Sequence, residues 1–260
     1  MGRQSFSGKS ILIVGGTSGV GFAIAEACVE LGARVVVVSR SQDKVNMAVE
    51  RLKRSYEDAI QRVQGYVCDL AGGEVEAELA KLFEVITDKG SNLIDHVVST
   101  AGSHPNTMTL GEATLENMVS ASRHLFIGDV LLAKLALKHL RPADTSSFTM
   151  TGGAGTQKPP HGWSLWAGIG GAKDSLTRGL AVSMKPIRVN LVSLGAIQTE
   201  LFDEAGGKWG QETLEKAAKT ASLLGTIGKP EDVAETYLAL MKNKFVTGTI
   251  SMVEGGALLN

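Results

Sequence analysis

Short runs of consecutive apolar residues alternate along the chain with longer stretches whose apolar positions recur at helical spacing. The run ILIV at 11–14 breaks into glycines, and a helical pattern, FAIAEACVEL, resumes at Phe22. Arg34–Ser39 (RVVVVS) is β-branched without interruption, the mark of a strand buried on both faces. A charged helical stretch over 43–63 follows, then GYVCDL, a helix around 75–88 and another buried strand over 93–100. The alternation goes on to predict a helix over 115–139, a strand over 147–150, a helix over 171–184 and a strand over 187–194. A helix over 231–241 and a strand near 249–253 close it. Strand and helix alternating at this period imply an α/β fold, a doubly wound parallel sheet with helices on both faces. No repeat, low-complexity tract or linker divides the chain, so residues 1–260 are expected to form a single domain.

Two regions break the rhythm. Residues 152–171 (GGAGTQKPPHGWSLWAGIGG) are dense in glycine and hold two of the three tryptophans. Residues 198–228 are too long for an ordinary connection and lie where an insertion covers a ligand, so a substrate lid is expected there; the alternative is a surface excursion.

The stretch ILIVGGTSGVG carries the first chemical signal. Gly15, Gly19 and Gly21, with Thr17, Ser18 and Val20 between them, let a strand turn sharply into a helix whose free N–H groups face an anion. Such a turn suits the pyrophosphate of a dinucleotide in a Rossmann-type fold.

Composition narrows the setting. Hydrophobic residues make up 43% of the chain, as in a globular protein, and 26 basic against 27 acidic residues give no support for nucleic acid or an anionic membrane as partner. Cys28 and Cys68 lie in apolar contexts and read as core thiols. The start MGRQSFSGKS has no long apolar stretch, and no run is long enough to span a membrane, so the expectation is a soluble cytoplasmic protein.

Motifs along nearly the whole chain resemble the short-chain dehydrogenase/reductase family. Its glycine motif matches at Gly15, Gly19 and Gly21, although Val14 stands where a threonine is usual. Asp69, followed by Leu70, matches the acidic residue that contacts adenine, and Ser99-Thr100-Ala101-Gly102 half preserves the Asn-Asn-Ala-Gly turn. Arg188-Val189-Asn190, then Ser193-Leu194-Gly195, Ile197 and Thr199, resembles the segment that clasps the nicotinamide, with Leu194 where proline is usual. Gly228-Lys229-Pro230-Glu231-Asp232 and Glu254-Gly255-Gly256 match C-terminal signatures. The resemblance implies a nicotinamide dinucleotide as cofactor and assembly as a homodimer or homotetramer.

The second strand ends in Ser39-Arg40-Ser41, with Lys44 a turn later, and carries no carboxylate to accept hydrogen bonds from a ribose diol. A guanidinium with two hydroxyls suits a phosphate dianion, so NADP(H) is expected over NAD(H). The alternative is a solvated Arg40.

The family's chemistry rests on Tyr-x-x-x-Lys, a Ser upstream and an Asn on the preceding helix. Leu176-Thr177-Arg178-Gly179-Leu180-Ala181 resembles the helix that follows the motif and fixes the register. Trp166 then falls at the Tyr position, Gly170 at the Lys position, Gly153 near the Ser position and Leu125 near the Asn position. Lys173 can lean back toward the space left by Gly170 and touch the ribose; the alternative is a solvated lysine. An indole N–H does not ionise near neutral pH, so Trp166 is no general acid, and losing one costs about 10²–10⁴ in rate.

Three readings stay open. Reduction of an iminium or similarly activated acceptor needs no proton on oxygen, and Trp166, with Trp163, offers an aromatic surface for a hydrophobic, cationic or aromatic small-molecule substrate. Fungal reductase/Diels–Alderases of bicyclic indole alkaloid pathways look similar in keeping NADP(H) without the tetrad. That likeness implies a cofactor-templated cyclase or isomerase, although those enzymes use an aspartate that Trp163-Ser164-Leu165 does not supply. A non-catalytic dinucleotide-binding protein is the third. Candidate donors for any remaining acid step are Arg123, His124, Thr151 and His161, each also readable as a surface or packing residue.

Overall fold

A computed structural model describes residues 5–56, 59–102 and 109–260, with the side chains of residues 208 and 209 left aside. Its described residues build a seven-stranded parallel sheet in the order β3-β2-β1-β4-β5-β6-β7. The strands are β1 (Ser10–Val14), β2 (Arg34–Ser39), β3 (Val63–Val67), β4 (His96–Ser99), β5 (Ser147–Gly153), β6 (Arg188–Leu194) and β7 (Ile250–Val253). The chain winds outward from β1 in one direction and from β4 in the other. The order therefore reverses between β1 and β4, where doubly wound sheets open a crevice beyond the strand ends.

Burial on both faces explains the unbroken apolar runs. Ile11, Ile13, Val35 and Val37 face a core closed by Phe22, Ile24, Leu52, Tyr237 and Leu238. Their chain neighbours Leu12, Val14, Val36 and Val38 face a second core closed by Leu79, Phe83, Leu132 and Ala136. On the first face lie α1 (Gly19–Glu30), α2 (Gln42–Ser55) and α9 (Pro230–Lys242); on the second lie α3 (Val75–Ile86), α5 (Gly128–His139) and α6 (Ser164–Ser183).

Several element boundaries differ from the sequence reading. The helix expected over 43–63 stops at Ser55, because Tyr56 turns extended and Val63 pairs with Val35 as the first residue of β3. The helix expected over 115–139 is α4 (Leu115–Ser122), a π-helical turn at Arg123–Ile127, and then α5. Glycine density concealed the start of α6, which begins at Ser164 rather than near 171 and takes Gly168, Gly170 and Gly171 into its first turns. Packing against β5, β6 and the π-helical turn overrides their weak helix propensity. The region 198–228 folds into α7 (Glu200–Trp209) and α8 (Gln211–Ala221).

Candidate active site

The glycine turn is built by close approach. Gly15 has φ +87°, and a Cβ there would lie 2.6 Å from Thr100 Oγ1; at Gly21 it would lie 2.1 Å from the Gly15 carbonyl oxygen. Only hydrogen fits at either place, so the turn, the start of α1 and the end of β4 form one close-packed cradle. Thr100 is fixed in it, its N–H donating to Val14 O at 2.8 Å and its hydroxyl to the same oxygen at 3.2 Å. Ser18 is the N-cap residue of α1 but makes no side-chain capping bond, and no acidic residue lies in the first turn. The N–H groups at that end are thus available to an anion, as the glycine spacing implied. Gly19 (φ +49°) faces Thr199, whose methyl carbon would lie 3.0 Å from a Cβ at Gly19. Thr199 caps α7, accepting from Phe202 N–H at 3.2 Å, so the segment 198–228 begins against the turn.

The other cofactor candidates flank this cradle along the strand ends. Arg40 is exposed just past β2, and Ser41 accepts from Lys44 N–H at 3.4 Å as the N-cap of α2. Asp69 is half-buried past β3, one carboxylate oxygen accepting from Ala71 N–H at 3.0 Å, and Leu70 is buried beside it. Gly195 donates to Val253 O at 2.9 Å, and Ile197 bridges to Gly228, closing the base of the 198–228 segment. Ala101 and Gly102 end the described part of that loop, since residues 103–108 lie outside it.

In the segment 153–170, two indoles lie over Gly153 and Gly155, and Gly170 faces Thr156. Trp163 and Trp166 meet edge to face, 5.0 Å between centroids and 61° between planes. A Cβ at Gly153 would lie 3.2 Å from Trp166 Cη2, one at Gly155 2.9 Å from Trp163 Cζ3, and one at Gly170 3.2 Å from the Thr156 methyl. The space that a serine and a lysine would take is filled by indole and methyl. The Trp166 Nε1 atom is buried with no hydrogen-bond partner among the described residues, and the contacts of the indole there are packing contacts.

The candidate donors do not converge. Arg123 is exposed on the π-helical turn, His161 is exposed on the loop before α6, and His124 Nδ1 lies 3.0 Å from Ser120 O. The Thr151 hydroxyl is engaged within the fold, donating to Ser99 O at 2.7 Å and lying 2.6 Å from the Tyr237 hydroxyl. Tyr237 is fully buried, and desolvation, its largest influence, raises its pKa. Lys173 is not the solvated lysine that was one alternative. It is 5% exposed, and its ammonium turns down to Asp129 Oδ2 at 2.6 Å and Thr151 O at 3.1 Å rather than out toward a ribose. Asp129 in turn accepts from Ser99 Oγ at 2.5 Å.

Thr151, Lys173 and Ser99 were named singly from the sequence, but Asp129, Tyr237 and the layer that joins all five escaped that reading. One signal was there. Asp129 shares a helical face with Leu132, Ala133 and Ala136, and Lys173 shares one with Thr177, so both charges interrupt buried stripes.

Glycine cradle, uncapped helix end and switch point together define a dinucleotide-binding α/β protein of doubly wound type. The family model of an SDR-like Rossmann domain matches residues 4–260, and the chain belongs to the short-chain dehydrogenase/reductase family, whose fold binds a nicotinamide dinucleotide. It is 37% identical over 253 residues to the short-chain dehydrogenase/reductase ucsE of an Acremonium species, covering 96% of each chain. It is likewise 37% identical over 259 residues to malC of Malbranchea aurantiaca, covering 99% of this chain and 97% of that one. The solved MalC reductase/Diels–Alderase from the same organism superposes with a TM-score of 0.90 at 36% identity over 99% of both chains.

Proposed function

We propose that this protein is an NADP(H)-dependent reductase of a specialised metabolite that delivers hydride to an iminium or similarly activated acceptor. One observation carries the reading: Trp166 packs on Gly153 and Trp163 on Gly155, while the Thr156 methyl meets Gly170, in the segment where the family keeps its acid and the groups that support it. The residues fit the cofactor, because the cradle at Gly15, Gly19 and Gly21 admits no Cβ and the N-terminus of α1 is uncapped. In this reading Gly15–Gly21 hold the pyrophosphate, Arg40 with Ser39, Ser41 and Lys44 holds the 2′-phosphate, and Asp69 with Leu70 borders the adenine. Thr100, Ala101, Gly102, Gly195, Ile197 and Thr199 border the nicotinamide. Bound there, the dinucleotide supplies hydride. The chain then has to exclude water and hold a flat acceptor. The half-buried indoles offer apolar and cation-attracting surface, and Thr199 at the head of α7 packs on Gly19 of the turn. An iminium carbon that takes hydride becomes a neutral amine, so no side chain needs to surrender a proton.

The test compares two ring systems of like shape, with NADPH absorbance as the readout. N-methyl-3,4-dihydroisoquinolinium should be reduced to the tertiary amine, while the ketone 1-tetralone should be reduced at least about 10²-fold more slowly. Equal rates on the two would refute the reading.

A second reading, a cofactor-templated cyclase without net redox, draws on the resemblance to MalC, which is described as both reductase and Diels–Alderase. It requires product formation while NADPH absorbance stays constant.

A further inference from the structure

The Asp129 and Lys173 side chains are both almost wholly buried, at 4% and 7% exposure, whereas Asp95 is paired with Lys9 and Arg141 at 36% and 51%. A buried pair of this kind is a weak source of stability. Desolvation offsets the attraction, and an apolar pair of similar volume does as well or better. The surroundings would take such a pair, since Leu132, Ala133 and Ala136 line the same face of α5.

What the pair does hold is specific. Lys173 on α6 donates to Thr151 O at the end of β5, and Asp129 at the start of α5 accepts from Ser99 Oγ at the end of β4. The Thr151 hydroxyl then ties the two strand ends together through Ser99 O, and Tyr237 reaches it from α9 on the other side of the sheet. Directly beyond these residues, Thr100 abuts the glycine turn and Gly153 abuts Trp166. The positions where the family has its serine, tyrosine and lysine carry here two glycines and an indole whose N–H has no partner among the described residues, so they make no polar tie within them.

We infer that Asp129 and Lys173 are a positioning pair that fixes the ends of β4 and β5, and with them the floor beneath the nicotinamide, from one layer below the lost tetrad. The inference rests on the reading that a nicotinamide dinucleotide serves hydride transfer in this crevice. Asp129 and Lys173 touch neither substrate nor cofactor; they act through the Thr151 carbonyl and Ser99.

Two double variants separate positioning from mere support: Asp129→Leu with Lys173→Met, and Asp129→Asn with Lys173→Gln. Both remove the charges together, so neither leaves one buried alone. Thermal unfolding, NADPH affinity, the fluorescence of bound NADPH and single-turnover reduction of N-methyl-3,4-dihydroisoquinolinium are measured on each. The expected result is a retained melting temperature and NADPH affinity, since the phosphates are gripped elsewhere. Nicotinamide emission should fall toward that of free NADPH, and the single-turnover rate should drop about 10²-fold. Doubles that keep both emission and rate would overturn the inference, and so would failure of both to fold, which would make the pair structural. Should the native protein reduce no iminium at all, the proposed function fails, while the emission of bound NADPH still decides the role of the pair.

Discussion

The indole of Trp166 lies against the backbone of Gly153, so close that a Cβ on Gly153 would stand 3.2 Å from ring carbon Cη2. These are the positions at which the family places its tyrosine and its serine. In this chain they are a packing contact, and the loss of one polar residue is what makes room for the other's replacement. Gly155 and Gly170 extend the same contact, the first against Trp163 and the second against Thr156.

Rebuilding part of the motif should therefore not rebuild the activity. Trp166→Tyr with Gly170→Lys adds a phenol and an ammonium, but leaves Gly153 without a hydroxyl and forces the new lysine past the Thr156 methyl. Reduction of 1-tetralone by this double variant should stay at the native background. A gain of about 10²-fold or more, the scale of recovered general acid catalysis, would show that the indole packing is incidental.

The contact is also tight enough to test through stability. At Gly155 an alanine methyl would sit 2.9 Å from Trp163 Cζ3 and 3.3 Å from Trp166 Cζ3. Gly155→Ala should destabilise the fold by about 1–3 kcal/mol, the usual cost of overpacking, with a matching fall in denaturation midpoint. Gly168→Ala, where a Cβ would meet nothing within 4 Å, should have no such cost.

In the proposed site Arg40 is the residue expected to tell NADPH from NADH. It is exposed at the end of β2, and among its sequence neighbours Ser39 and Ser41 there is no carboxylate to receive a ribose diol. Arg40→Ala should weaken NADPH binding about ten- to a hundredfold, the worth of a charge-assisted hydrogen bond to phosphate, and leave NADH binding unchanged. Titration of intrinsic fluorescence with each cofactor reads this directly, and an equal loss for both would reassign Arg40.

Acid should loosen the molecule at the edge far from the crevice. His96, at the start of β4, shares a hydrogen bond of 2.9 Å with Ser147 Oγ, and burial lowers its pKa from 6.5 to about 3. The unfolded chain binds a proton at this residue between those values and the folded chain does not. Stability from His96 is therefore complete above about pH 6.5 and falls as pH drops toward 3, by up to about 1.4 kcal/mol per unit. Asp95 is also held below its ordinary value by Lys9 and the Ser10 N–H despite its burial, and so loses stability only at lower pH. Denaturant midpoints measured from pH 7 to pH 5 should decline in the native protein and decline less steeply in His96→Asn.

Much of the fold is legible locally, because each buried strand announces itself. RVVVVS is β2 from Arg34 to Ser39, β1 begins one residue before the apolar run, and α1 begins at Gly19, three residues before the helical pattern resumes at Phe22. The glycine turn is legible for the same reason: the need for φ above zero and for contact without a Cβ acts on residues close in sequence. Where glycines serve packing between distant elements, the signal misleads. The glycine-rich segment before residue 171 reads as a loop, yet from Ser164 it is helix, and its glycines admit the indoles.

The sequence by itself determined the doubly wound sheet and the tight glycine turn at Gly15–Gly21, and through the resemblance to the family it gave the register that sets Trp166 and Gly170 opposite the tyrosine and lysine. Those follow from period, spacing and counting along one chain. Only the tertiary structure decided what fills the gap and what lies beneath it. Trp166 meets Gly153 across a strand end, and Lys173 meets Asp129 from a different helix, 44 positions apart in the numbering but 2.6 Å apart in space. Neither lysine nor aspartate carries a local sign of its partner. Their pairing depends on how α5 and α6 are laid side by side on the sheet, and that placement is set by the burial of the whole apolar face.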